Sequence, residues 1–110
     1  MIETGIEIDD QRNTRYWKDY RLHRIDGPAV EFSNGDKCWY LNGKCHRIGG
    51  PARIYVNNIT EFCENGLLHR IDGPAVIHFN GRKEWWIRGE EIKCRSQKKF
   101  IQIMKLKVFW

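Results

Sequence analysis

The chain has 110 residues, 41% hydrophobic and 13% aromatic with five tryptophans, which predicts a single domain whose modest core draws much of its area from a few large rings. A net charge of +5 permits an acidic protein or a nucleic acid as partner. The acidic start (Glu3, Glu7, Asp9, Asp10) and the lack of a long apolar run argue against a signal peptide or a membrane-spanning segment, so a cytoplasmic chain with no membrane partner is expected.

Residues 1–15 hold one short alternation, Ile6 and Ile8 around Glu7, which predicts a strand over Gly5 to Ile8 and then a polar, turn-like stretch from Asp9 to Thr14. This segment reads as an N-terminal cap or flexible lead that shields the edge of the first repeated unit. From residue 16 the chain repeats itself. His-Arg-Ile-Asp-Gly-Pro-Ala-Val at His23 to Val30 returns as His-Arg-Ile-Gly-Gly-Pro-Ala-Arg at His46 to Arg53, and in its first form at His69 to Val76, a fixed period of 23 residues. A period without slippage marks a repeat architecture, in which each unit needs its neighbours to bury a face. The same step gives an aromatic column (Tyr16, Trp39, Phe62, Trp85), an asparagine column (Asn34, Asn57, Asn80) and a glycine column (Gly43, Gly66, Gly89). Three units fall at 16–38, 39–61 and 62–84, with a partial fourth up to residue 91.

Within each unit Ala29 to Ser33, Ala52 to Val56 and Ala75 to Phe79 alternate as strands should, though both faces are mixed and the pattern does not select the buried one. Asn34-Gly35, Asn57-Asn58 and Asn80-Gly81 are residues that supply the positive φ angles of a tight hairpin. The return strands are expected over Lys37 to Leu41, Thr60 to Glu64 and Lys83 to Ile87, followed by a second turn at Asn42-Gly43, Asn65-Gly66 and Arg88-Gly89. Two turns per unit predict a mainly β fold, a single-layer antiparallel meander of repeated hairpins. Proline donates no ladder hydrogen bond, so Pro28, Pro51 and Pro74 suit the starts of strands, with Gly27, Gly50 and Gly73 turning the chain ahead of them. Arg24 with Asp26, and Arg70 with Asp72, are spaced to meet on one side of an extended segment; Gly49 removes that contact from Arg47.

A hairpin unit carrying an aromatic, Asn-Gly-x-x-His and a turn glycine resembles the MORN repeat, whose aromatic, Gly, His order is followed from Trp39 to His46 and from Phe62 to His69. Where common MORN units have His-Gly-x-Gly this chain has His-Arg-Ile-Asp-Gly-Pro-Ala, a variant similar to repeat proteins of tailed phages and large DNA viruses. The likeness covers about residues 16–91. It implies an elongated, twisted antiparallel sheet and a binding role with no catalytic residues, in a viral or phage protein that binds and sterically blocks a host factor such as a host-defence component.

Beyond residue 91 the rhythm stops, and residues 92–110 read as a basic amphipathic helix or tail. A helix led by Arg95 or Ser96 places Phe100, Ile103 and Met104 on one face and leaves Lys98, Lys99 and Lys105 on the polar side. It would cap the last hairpin, as repeat stacks require, or offer a basic face to an acidic partner. Val108-Phe109-Trp110 is apolar enough to be tucked in or to seek a partner.

Cys38, Cys45, Cys63 and Cys94 match neither paired zinc knuckles nor a dense disulfide framework; reduced thiols are expected, with a Cys38 to Cys45 bridge as the alternative. Motif histidines His23, His46 and His69 lie two strands apart, roughly 9 to 10 Å, too far to share a zinc ion that holds nitrogen at about 2.0 to 2.1 Å. Each is read as a hydrogen-bonding ring that orders its turn, and Arg24, Arg47 and Arg70 as structural members of the same motif. No nucleophile, phosphate loop or tuned carboxylate pair stands out, so neither enzyme activity nor a cofactor is expected. Candidate partner-binding residues are Tyr40, Arg53, Tyr55, His78, Trp86 and Arg88 with Lys98 and Lys99, because aromatic and arginine anchors dominate interface energetics. Tyr40 and Trp86 are the freer ring positions, since the middle unit has Cys63 there. Tyr16, Trp17, Arg53, Tyr55, Trp86 and Arg88 would serve the alternative, a nucleic-acid module that stacks bases and neutralises phosphates. Self-assembly into a homodimer through a sheet edge or the C-terminal segment is the third possibility.

Overall fold

Two kinds of turn, used in alternation, build the sheet. The structure, a computed structural model, describes residues 1–106. At the first kind of turn Phe32 N–H donates to the Asp36 carbonyl at 2.9 Å and Gly35 N–H to the Phe32 carbonyl at 2.9 Å. These are three-residue loops that end in a left-handed residue: Gly35, Asn58 and Gly81 have φ of 101, 68 and 87°. The expectation that Asn34, Asn57 and Asn80 also take positive φ is corrected. Asn34 and Asn80 instead accept the N–H of Asp36 and Arg82 through Oδ1, at 2.9 and 3.0 Å. At the second kind of turn both central residues are left-handed, as at Asn42 (51°) and Gly43 (80°) and at Arg88 (48°) and Gly89 (82°). One such turn was invisible in the sequence: Asp19 and Tyr20, one unit before Asn42 and Gly43, take φ of 51 and 64° without any glycine. Tyr20 N–H donates to the Glu3 carbonyl at 2.7 Å and Asp19 N–H to Thr4 Oγ1 at 3.1 Å, so the N-terminal segment holds this turn in place.

Strands β1 (Gly5–Ile8), β2 (Thr14–Lys18) and β3 (Arg21–Leu22) open the chain. The next unit supplies β4 (Val30–Glu31), β5 (Lys37–Cys38), β6 (Tyr40–Leu41) and β7 (Lys44–Cys45). The third supplies β8 (Arg53–Ile54), β9 (Thr60–Glu61), β10 (Cys63–Glu64) and β11 (Leu67–Leu68), and the chain ends with β12 (Val76–Ile77), β13 (Lys83–Ile87), β14 (Glu90–Ile92) and helix α1 (Gln97–Leu106). The main sheet runs β1-β2-β4-β5-β8-β9-β12-β13-β14, antiparallel at every pairing, with β3 also on β2; β6-β7 and β10-β11 are short ladders beside it. The return strands expected over 37–41 and 60–64 are therefore each two strands. They break at Trp39 and Phe62, where the chain leaves the main ladder. The short ladders join into a second row, because Gly43, Gly66 and Gly89 donate to the carbonyls of Leu22, Cys45 and Leu68 at 2.8 to 2.9 Å.

At the junction between the rows the large and small side chains alternate across neighbouring strands. Tyr16, Trp39 and Phe62 N–H donate to the carbonyls of Ala29, Ala52 and Ala75 at 2.7 to 2.8 Å. The three alanines are fully buried, and Trp39 and Tyr40 pack on the cluster that holds Ala52. The molecule measures 48 × 32 × 19 Å, and the smallest dimension leaves room for the sheet and one covering layer, given about 10 Å between packed layers. Helix α1 starts with Ser96 Oγ accepting Lys99 N–H at 3.1 Å, an N-cap. It buries Phe100 against Trp85 and Ile92, with Ile87, Cys94, Ile103 and Met104 around them. Residues 107–110, including Val108-Phe109-Trp110, lie outside the described residues. No helix among the described residues is long and apolar enough to cross a membrane.

Candidate interaction surface

Each His-Arg-Ile-Asp/Gly-Gly-Pro-Ala loop is locked by its arginine. The guanidinium carbons of Arg24, Arg47 and Arg70 sit 4.0, 4.0 and 3.8 Å from the ring centroids of Tyr16, Trp39 and Phe62, a cation–π arrangement. Nη1 of each donates to the carbonyl of Pro28, Pro51 or Pro74 at 3.1 Å. The glycine before each proline makes room: a Cβ on Gly27, Gly50 or Gly73 would come within 2.9, 2.9 or 2.7 Å of the guanidinium carbon. The motif histidines tie neighbouring units together. Nδ1 of His23, His46 and His69 accepts the N–H of Asn42, Asn65 and Arg88, each at 3.0 Å, in the second turn of the following unit.

With arginine and histidine bonded within the fold, the isoleucine of each loop and the aspartate of the outer two point out. Ile25, Ile48 and Ile71 are 85, 72 and 64% exposed, a column of apolar side chains along the stacked loops. Sequence reasoning missed them. The available signal was an isoleucine kept in all three copies inside a polar turn, where no strand or helix period asks for one. Between successive loops the surface opens into two grooves of about 600 and 450 Å³. The first is lined by Ile25, Ile48, Trp39 and Leu41 among others, the second by Ile48, Ile71 and Phe62. Arg24 bonds Asp26 through Nε at 3.0 Å and Glu31 at 2.9 Å, and Arg70 bonds Asp72 at 2.9 Å, which holds the Asp72 carboxyl below its usual range. Arg47 has Gly49 two residues on, and no carboxylate bridges it among the described residues.

The residues singled out from sequence as partner anchors divide between regions. Register pairs Cys38 with Arg53, Arg53 with Glu61, Glu61 with Val76 and Val76 with Glu84, which puts these side chains on one face. Arg53 bridges Glu61 at 3.0 Å and Tyr55 Oη donates to the same carboxylate at 3.3 Å; His78 and the Trp86 indole N–H bond Glu84. Tyr40, Arg53, Tyr55, His78 and Trp86 are all half-buried. Burial and the Glu61 charge push the Tyr55 hydroxyl up to about 12. Glu84 lies low: burial raises it, and the bonds from His78 and Trp86 overcome that. This face is thus an internally neutralised network. Arg88 lies in an exposed turn beside the loop column, and Lys98 and Lys99 are exposed on α1.

All four cysteines are free thiols, three of them buried; burial pushes the Cys38 thiol up, and the contact with Cys63, together with burial, pushes the Cys45 thiol up. No cluster of three or more His, Cys, Asp or Glu side chains suited to a metal ion occurs among the described residues. Comparisons with protein-family models, with curated proteins and with solved structures find no match.

Proposed function

We propose that this chain is a non-enzymatic protein-interaction module that binds through the isoleucine column and acts by steric occlusion. The observation that carries the reading is the column itself: three large aliphatic side chains, each more than half exposed, held by loops whose arginines and histidines are bonded within the fold. Scattered apolar residues on a surface mean little, whereas a contiguous apolar patch rimmed by polar groups marks an interface. The arginine locks fix the loop backbones before a partner arrives, and pre-organisation lowers the entropy lost on binding. The likeness of the units to MORN-type repeats of phages and large DNA viruses supports a host protein as the occluded partner.

The test compares wild-type chain with Ile48→Ser as bait in host-cell extract, with captured proteins identified by mass spectrometry. A protein retained by the wild type and weakened about tenfold or more by the substitution, the size of an interface anchor, supports the reading. Retention of nucleic acid that falls steeply with salt, the mark of phosphate contacts, and that ignores Ile48→Ser overturns it.

A further inference from the structure

The three loops are copies with one exception, and the exception lies in the middle. Arg24 and Arg70 hold Asp26 and Asp72 at 3.0 and 2.9 Å from Nε. Arg47 keeps the ring stack at 4.0 Å and the Pro51 carbonyl at 3.1 Å, but Gly49 replaces the aspartate and Ile54 stands one unit on from Glu31. A guanidinium carries five N–H donors in a planar fork matched to carboxylates. The backbone differs here too, since Gly49 has φ of 86° whereas Asp26 and Asp72 are not left-handed; a Cβ on Gly49 would meet nothing within 4 Å, so that side of the loop is open. Arg47 and Ile48 line both grooves, which places this notch midway along the column.

We propose that Arg47 is the central anchor of the surface and takes an aspartate or glutamate side chain from an extended segment of the partner protein. This rests on the isoleucine column being the binding surface. The two grooves are one unit apart, about 9 to 10 Å for two strand spacings, and an extended chain in the polyproline II form, with three residues per turn at about 3.1 Å each, covers that in one turn and brings residues three apart onto the same face. The segment therefore has two apolar side chains three positions apart, one per groove, with the acid between them. The outer arginines are already bonded to carboxylates of their own chain, which an incoming acid would have to displace. A single vacant fork sets the register. Asp26 and Asp72, with side chains 85 and 87% exposed at either end of the column, repel a polyphosphate and favour a peptide with one acid.

The experiment pans a display library of short random peptides against the full chain and measures the selected peptides against Gly49→Asp and Gly49→Asn. Gly49 has φ of 86°, a region that aspartate and asparagine enter more readily than other residues, so the two variants share any backbone strain and differ in one charge. Expected are peptides with an acid between apolar residues three apart, bound at least tenfold more weakly by Gly49→Asp, whose own carboxylate fills the fork once residue 49 takes the backbone of Asp26 and Asp72, than by Gly49→Asn. Equal affinity for the two variants, or selected peptides without an acid, overturns the Arg47 inference. Such peptides, if they still lose affinity on Ile48→Ser, leave the isoleucine surface standing. Selection of no peptide at all, or of peptides indifferent to Ile48→Ser, takes both down.

Discussion

The first three units and the last hairpin face the same problem, an aromatic ring at the junction of the two strand rows, and cover it differently. Tyr16, Trp39 and Phe62 lie under a guanidinium from their own loop and stay half-buried. Trp85 has no such loop: Ile92 stands one unit on from His69 and Lys93 one unit on from Arg70. Its cover is helix α1. Phe100 packs on it, Gln97 Oε1 accepts its indole N–H at 2.7 Å, and only 4% of it remains exposed. A charged lid leaves its ring half-buried, whereas the apolar helix buries Trp85, although a groove of about 400 Å³ lined by Ile71, Ile92 and Met104 persists beside it. The loops thus make surface and the helix ends the stack.

Removing the helix's central ring tests this most severely. Phe100→Ala should lower stability by about 3 to 5 kcal/mol, the range for a buried phenylalanine, seen as a lower midpoint in urea unfolding. A loss under about 1 kcal/mol would mean that the helix is an appendage and covers nothing of consequence.

The loop lock is the smaller device and should break in a characteristic way. Gly73→Ala places a methyl where the Arg70 guanidinium carbon lies 2.7 Å away, so the stack on Phe62 must open, at about 1 to 3 kcal/mol. In an Arg70→Ala background the same glycine change should cost little, because residues in contact are not additive. Additive losses would show that Gly73 matters for its backbone alone. Weaker still is the tie between units: His46→Ala removes the acceptor of the Asn65 N–H at a solvent-accessible turn and should cost about 1 kcal/mol.

The smallest effect concerns the network around Glu61. Tyr55 has its folded-state pKa raised from 10.0 to about 12, so the folded state keeps a proton that the unfolded chain releases between those values. The contribution is full below pH 10 and is lost as pH rises toward 12. Thermal unfolding from pH 9 to 12 should show a decline that is shallower in Tyr55→Phe; an identical slope would separate Tyr55 from the Glu61 network.

Much of the fold was legible because it is local. The period of 23, the two turns per unit, the strand at Gly5 to Ile8 and the amphipathic helix all arise from residues within one unit or one turn of each other. What failed to show needed a second segment. The turn at Asp19 and Tyr20 lacks its usual residues and forms because Glu3 and Thr4 hold it. The breaks at Trp39 and Phe62 arise because the chain lies between two main-sheet strands before the break and pairs with the next short strand after it.

By itself, then, the sequence determined the unit: which residues turn the chain, which alternate, and which arginine and aspartate lie within reach. Only the tertiary structure decided orientation, because burial is a property of neighbours and not of residue type. An isoleucine between arginine and aspartate has no assigned face until the stacked loops leave it facing solvent, and an arginine without its aspartate reads as a missing contact until the grooves on either side make it a vacant one.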